Sequence, residues 1–153
     1  MKSLGFYSNL VPSTINSIRI VVEELISSLQ CKCGQLNESV LFELKVILNE
    51  LLINAIRHGN MEDESKSVKI NAGIGTHGKL YIVIEDEGCG YDYVHTCDRL
   101  KAFCEEPQPS DMTESGRGIL ILRSLCDKVK VNSKGNKIAI LKGITHDQPS
   151  SDQ

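Results

Sequence analysis

The sequence lacks the features that mark several specialised protein classes. It has no tryptophan, only four prolines among 153 residues, and a net charge of just −3. So little proline argues against a low-complexity or extended chain, and the weakly acidic balance argues against a direct nucleic-acid partner, which requires a basic face. No apolar run approaches the ~20 residues of a membrane-spanning helix. We therefore expect neither nucleic-acid binding nor membrane insertion.

Cysteine is present, but the patterns that would give it a function are missing. Six cysteines occur without a CxxC pair, and the N-terminal residues contain no apolar core of secretory-signal length. We therefore expect reduced thiols in a cytoplasmic protein. The balance of 41% hydrophobic and 24% charged residues predicts a globular protein. We expect one domain over residues 1–143 and a disordered tail over residues 144–153.

The pattern of apolar residues predicts the element order β-α-α-β-β-α-β-β. A short first strand ends at Pro12, Ser13 is expected to cap the first helix, and Gly34 to end it. Asn37 is expected to cap a second helix that reaches about residue 58. The other segments are strands at 68–74 and 80–85, a long loop over 88–116, a helix at 118–126, and strands at 128–132 and 137–142. This order predicts an α+β fold, a two-layer sandwich with helices on one face of a mixed, largely antiparallel sheet.

Three polar residues of the second helix lie one turn apart along its flank. These are Glu50, Asn54 and His58, beside a leucine-rich arc that is expected to face the core. A carboxylate one turn before an amide, at the edge of a buried face, is typical of the rim of a ligand site. An ordinary polar flank has the same pattern, so this helix alone does not decide between them.

Two glycine pairs follow later in the chain. Asp86, Gly88 and Gly90 come directly after a predicted strand, where glycine permits close approach of the backbone to a ligand and an aspartate can accept from an exocyclic amine. A simple acidic turn would look similar. Gly116 and Gly118 flank Arg117 at a helix start, where free N–H groups and a guanidinium suit phosphate. No Walker GxxxxGK[ST] motif occurs.

Taken together, the three segments resemble the GHKL ATP-binding family, which includes Hsp90, gyrase B, MutL and histidine kinases. NELLINAIRHGN is similar to its N box, EDEGCGYD to its first glycine box, and ESGRGILIL to its second. The chain most resembles the stand-alone anti-sigma-factor serine/threonine kinases, over nearly its whole length to about Lys142. The resemblance implies the Bergerat ATP-binding fold, with ATP and Mg²⁺ as ligands.

The resemblance also implies residue roles. Glu50 would be the general base, Asn54 the Mg²⁺ ligand, and Arg117 a catalytic contact to phosphate. The remaining nucleotide-binding residues would be His58, Asp86, Gly88, Gly90, Gly116 and Gly118, with Asp86 accepting from the adenine amine. Residues 91–115 would fold over the nucleotide.

The resemblance implies partners as well. We expect phosphorylation of a small anti-anti-sigma-type protein, binding of a sigma factor, and a homodimer. Surplus apolar residues on the outer arcs of the two long helices agree with a dimer, namely Ile20, Val21, Val46 and Ile53.

One departure from the family pattern keeps a second interpretation open. The turn between the last two strands, residues 133–137, lacks the threonine that supports the adenine site in the family. This departure leaves open a weak nucleotide affinity, or a nucleotide-responsive binding module without kinase activity. A third interpretation, the catalytic half of a histidine kinase, needs a helical hairpin that presents a phosphoacceptor histidine. The residues before the N box are too few to supply one beside the first strand and helix.

Overall fold

The computed structural model describes residues 4–75, 77–88 and 114–144, with only the backbone for residues 114–117. In chain order the elements are β1 (Leu4–Pro12), α1 (Ser17–Cys33), α2 (Glu38–Ile53), a π-helical turn (Asn54–Gly59), β2 (Ser67–Ile74), β3 (Lys79–Glu85), α3 (Glu114–Leu125), β4 (Lys128–Val131) and β5 (Lys137–Gly143). Most of the predicted long loop, including Gly90, and nearly all of the predicted tail lie outside the described residues.

The described strands form one five-stranded sheet in the order β1-β2-β3-β5-β4. Every neighbouring pair is antiparallel. Ile84 of the central strand β3 lies opposite Ile70 of β2 and Ile138 of β5, so one row of isoleucines crosses the sheet. The helices cover the face that carries this row, which confirms the predicted α+β class.

The core lies between this sheet face and the three helices. Alternate residues of β2, β3 and β5 point toward it, as the two-residue period of a strand requires. α2 packs on them through residues that are 0% exposed, namely Leu44, Ile47, Leu48, Leu51 and Leu52. Each fully buried side chain of this size contributes about 1.5–3 kcal/mol, so the position of α2 on the sheet is firmly fixed. The flank of α2 that carries Glu50 and Asn54 is fixed with it.

The ends of α1 and α2 test the predicted caps. Asn37 caps α2 as predicted, because its Oδ1 accepts a hydrogen bond of 2.8 Å from the Val40 N–H. Gly34 follows α1 with a φ of 88°, a conformation that suits glycine. The prediction that Ser13 caps α1 is wrong. β1 runs on to Pro12, α1 begins only at Ser17, and the Ser13 hydroxyl instead donates to the Lys66 carbonyl at 2.7 Å.

The exposure of the residues predicted to lie on the outer arcs of the helices agrees only in part with the prediction. Ile20 is 59% exposed, as expected. Val21, which was expected off the core, is 3% exposed and belongs to the core. Its neighbours on the core side of α1 are Ile18, Val22 and Leu25, so the buried arc of this helix is wider than the sequence period indicated. No helix in the described part of the chain is both long and apolar enough to cross a membrane.

Candidate functional site

α2 changes its helical geometry at Asn54, the second residue of the polar series Glu50, Asn54 and His58. Residues Asn54–Gly59 form a π-helical turn, and the Asn60 N–H closes it by donating to the Ala55 carbonyl at 2.8 Å. π-helical turns are rare in proteins, and those that occur often lie at functional sites. Two non-glycine residues with positive φ follow, Met61 and Glu62, both at 56°. The chain therefore reverses tightly here, and this reversal brings the end of the N box to the end of β3.

Glu50 and Asn54 both face Gly118, the fifth residue of α3. A Cβ on Gly118 would collide with the Glu50 Oε1 and would lie 3.7 Å from the Asn54 Nδ2. Asn54 is 2% exposed, and within the described residues its Nδ2 has no hydrogen-bond partner. An unsatisfied buried amide costs about 1–3 kcal/mol, and such a group is retained most readily where a ligand completes its bonding.

The residues at this point fit a Mg²⁺ ion that is bound together with phosphate. The amide oxygen of asparagine is one of the hard oxygen donors that Mg²⁺ prefers, and the ion usually keeps several waters. The oxygen and nitrogen of an asparagine amide are assigned from hydrogen bonds, so Asn54 can turn its oxygen to an ion. In the described ranges, no group of three or more His, Cys, Asp or Glu side chains could hold a metal alone. The phosphates would therefore complete the coordination.

Asp86 lies at the other end of the N box, directly after β3. It is 5% exposed, and its Oδ1 accepts a hydrogen bond of 2.8 Å from the Gly88 N–H. Burial raises the pKa of the Asp86 carboxyl above its ordinary value, while the Gly88 hydrogen bond acts in the opposite direction. A carboxylate in this position can accept a hydrogen bond from an amine of a ligand.

Gly59 and Gly88 allow the N box and the first glycine box to interlock. A Cβ on Gly59 would collide with the Asp86 carboxyl group, and a Cβ on Gly88 would collide with the Gly59 carbonyl oxygen. Only glycine fits at both positions without displacing backbone or the carboxylate. The role of Gly59 was not predicted from the sequence, although it follows His58 within the N box.

Two buried asparagines that the sequence interpretation missed also contact this region. Asn60 is 0% exposed, and its Oδ1 accepts from the Glu87 N–H at 2.7 Å. Asn136 is 9% exposed, and its Nδ2 donates to the Asp86 carbonyl at 3.1 Å. Asn136 belongs to the turn that lacks the family threonine, so that turn does contact the Asp86 region. In the sequence, the one feature that these two asparagines share is that each directly follows a glycine, Gly59 or Gly135.

The structure thus brings the predicted residues together in two groups joined by the π-helical turn. Glu50 and Asn54 meet Gly118 at one end, and Asp86 and Gly88 meet the end of the N box at the other. His58 lies in the π-helical turn and is half-buried. Gly116 and Arg117 belong to the first turn of α3, without described side chains, and Gly90 lies outside the described residues.

Known proteins show similarity to this chain. A family model described as "Histidine kinase-like ATPase domain" matches residues 11–142. "Serine-protein kinase RsbW" of Bacillus subtilis (strain 168) is 26% identical over 111 residues, 72% of this chain and 69% of that protein. "Anti-sigma F factor" of Priestia megaterium is 28% identical over 131 residues, 84% of this chain and 83% of that protein.

A solved structure is also similar. It is a "Histidine kinase domain from Erythrobacter litoralis EL346 blue-light activated histidine kinase", with a TM-score of 0.50 and 14% sequence identity. The similarity covers 94% of this chain and 65% of that one, so this chain spans about two thirds of the matched domain. At this identity the likeness concerns the fold alone.

Proposed function

The chain belongs to the family of histidine kinase-like ATPase domains, and we propose that it is an ATP-dependent serine/threonine protein kinase of the anti-sigma-factor type. The resemblance read from the three motifs is confirmed, because the family model spans residues 11–142. Two of its relatives bear the names of a serine-protein kinase and of an anti-sigma factor. These names support the kinase branch over the other branches of the family.

The observation that carries the proposal is the meeting of Glu50, Asn54 and Gly118 in the second turn of α3. Phosphoryl transfer depends mainly on positioning and charge stabilisation, with one carboxylate to accept the proton of the attacking hydroxyl. Glu50 supplies that carboxylate against Gly118, one turn after the start of α3, where phosphates would bind. Without Glu50 at this point, the same fold would bind nucleotide but would have no base.

Each residue then has a distinct task. Asn54 would hold Mg²⁺ through its amide oxygen, and the ion would supply positive charge beside the phosphates. The free N–H groups in the first turn of α3, among them that of Gly116, and the Arg117 guanidinium would receive the phosphates, and Gly118 leaves room for Glu50 beside them. Asp86 accepts a hydrogen bond from the adenine amine at the other end of the site, and Glu50 takes the hydroxyl proton of the protein substrate.

The partners follow from the branch. We expect a small anti-anti-sigma-type protein as phosphate acceptor, a sigma factor as a second partner, and a cytoplasmic homodimer. The alternative is a nucleotide-responsive binding module without transfer. The missing threonine in the turn at residues 133–137 favours that alternative, and the Glu50 geometry favours the kinase.

A phosphotransfer assay separates the two functions. The protein is incubated with Mg²⁺, γ-labelled ATP and a candidate anti-anti-sigma-type protein, and the acceptor is analysed for phosphoserine and phosphothreonine. The kinase predicts label on the acceptor. Nucleotide-dependent binding of the acceptor without any label would support the binding module, and a protein that binds no nucleotide would contradict both.

A further inference from the structure

The three residues that follow β3 are held by hydrogen bonds from two distant segments of the chain. The Asp86 N–H donates to the Asn136 carbonyl at 2.9 Å, and the Asn136 Nδ2 donates back to the Asp86 carbonyl at 3.1 Å. The Glu87 N–H donates to the Asn60 Oδ1 at 2.7 Å, and the Gly88 N–H donates to the Asp86 carboxylate at 2.8 Å. Each backbone N–H from Asp86 to Gly88 therefore has an acceptor.

The amide of Asn136 is itself oriented by the turn between β4 and β5. Its Oδ1 accepts from the Asn132 Nδ2 at 2.9 Å. The Asn132 Oδ1 in turn accepts from the N–H groups of Gly135, Asn136 and Lys137 at 2.8 to 3.1 Å. Asn132 thus fixes the turn, and the turn points the donor of Asn136 at Asp86. In this way, a turn without the family threonine holds the end of β3.

Asn60 supports the same segment from the opposite side. Its Nδ2 donates to the Ser13 Oγ at 2.8 Å and to the Ser67 carbonyl at 3.0 Å. The Ser13 hydroxyl donates to the Lys66 carbonyl at 2.7 Å. Asn60 therefore ties the Glu87 backbone to the end of β1 and to the start of β2, through an amide that is completely buried.

We infer that Asn136 is a positioning residue that sets the selection of adenine over other purines by holding Asp86 in place. The inference rests on the proposed function. A carboxylate selects an amine because a carbonyl oxygen at the same position of the base would face it, acceptor against acceptor. A hydrogen bond weakens steeply as its geometry worsens, and a site must hold its groups to within about 0.5 Å. If Asp86 were held less firmly, its carboxylate could move away from the carbonyl oxygen of a wrong base. The protein would then discriminate less between adenine and that base.

The test compares ADP with IDP, which carries a carbonyl oxygen where adenine has its amine, by calorimetric titration of the full chain. Asn136→Ala removes the donor to Asp86. We expect the ratio of the IDP Kd to the ADP Kd to fall about tenfold, the effect of one buried hydrogen bond. Asn136→Asp keeps an acceptor for Asn132 and lacks the donor, so it should lower the ratio in the same way with the turn preserved.

Ser13→Ala is the matched control. It removes two hydrogen bonds from the Asn60 network and none from the segment Asp86–Gly88. It should lower the melting temperature and leave the ratio unchanged. The inference is wrong if both Asn136 variants keep the wild-type ratio, or if Ser13→Ala lowers the ratio as much as they do. Wild-type protein that binds neither nucleotide would contradict the proposed function itself, which distinguishes the two failures.

Discussion

Gly118→Ala should abolish most phosphotransfer while leaving the stability of the protein nearly unchanged. The new Cβ would collide with the Glu50 Oε1, which is the far end of a flexible side chain. Alanine within a helix is about 1 kcal/mol more favourable than glycine. Forcing the Glu50 side chain off its rotamer costs about 0.5–1.5 kcal/mol. These two contributions nearly cancel, so we expect a change in the free energy of unfolding of less than about 1 kcal/mol.

The effect of the same substitution on transfer should be large. The displaced atom is the proton acceptor in the proposed mechanism, and a misplacement of about 1 Å can cost ~10²-fold in rate. We expect single-turnover transfer to a partner protein to fall by about that factor. ADP affinity, measured in parallel, should change far less, because the Asp86 end of the site is untouched.

A double-mutant cycle with Glu50→Ala tests the physical cause. Once the Glu50 carboxylate is removed, the Cβ at residue 118 has no carboxylate to displace, and Gly118→Ala should then stabilise the protein by about 1 kcal/mol. Denaturant unfolding of the four proteins measures this coupling. The reasoning is refuted if Gly118→Ala transfers at the wild-type rate, or if it has the same effect on stability with and without Glu50.

Three further predictions concern the site residues, and a fourth concerns the expected dimer. Glu50→Gln should lower the single-turnover rate by about 10²–10⁴ with little change in ADP affinity, and a wild-type rate would remove Glu50 as the base. Asn54→Ala should weaken Mg-ATP binding and transfer together, in contrast to Glu50→Gln, and unchanged titrations would contradict its metal role. Asp86→Asn should lower ADP affinity and raise the melting temperature at pH 7. Burial raises the pKa of the Asp86 carboxyl, so the wild-type protein loses stability as pH rises through that pKa and the carboxyl becomes charged. In the wild type, ADP affinity should fall as pH drops through the same pKa, because the carboxyl then becomes protonated. Light scattering should give the mass of two chains, and a monomer at tens of micromolar would contradict the expected dimer.

The sequence predicted the elements well where the signal is local. The cap at Asn37, the stop at Gly34 and the β2–β3 hairpin depend on residues close in the chain, and the structure has all three. α3 begins at Glu114, earlier than the predicted start at Gly118. Glycine is a poor helix former, so the sequence pattern did not indicate that Gly116 and Gly118 both lie inside the helix. The roles assigned to the site residues stay predictions, although the geometry agrees with those of Glu50 and Asp86.

The parts that could not be predicted depend on contacts between distant segments. Ser13 lies where a helix cap is expected, but its hydroxyl is used by Lys66, which is 53 residues away. Asn136 and Asp86 are 50 residues apart. A single sequence shows that such residues are polar, but not that they are buried against each other. The π-helical turn at Asn54–Gly59 was also missed, because its residues continue the same periodic pattern as α2.

The glycine contacts explain how three weak motifs become one site. Gly118 fits against Glu50, and Gly59, nine residues after Glu50, fits against Asp86. At the rise of an α-helix nine residues would span about 13.5 Å, and the wider π-helical turn at Asn54–Gly59 makes the distance somewhat shorter. A separation of this order suits a ligand with a phosphate chain at one end and a base at the other. A side chain at Gly118 would displace the proposed base, and one at Gly59 would displace the carboxylate proposed to read adenine. The N box is therefore the common element, because each glycine box contacts one end of it.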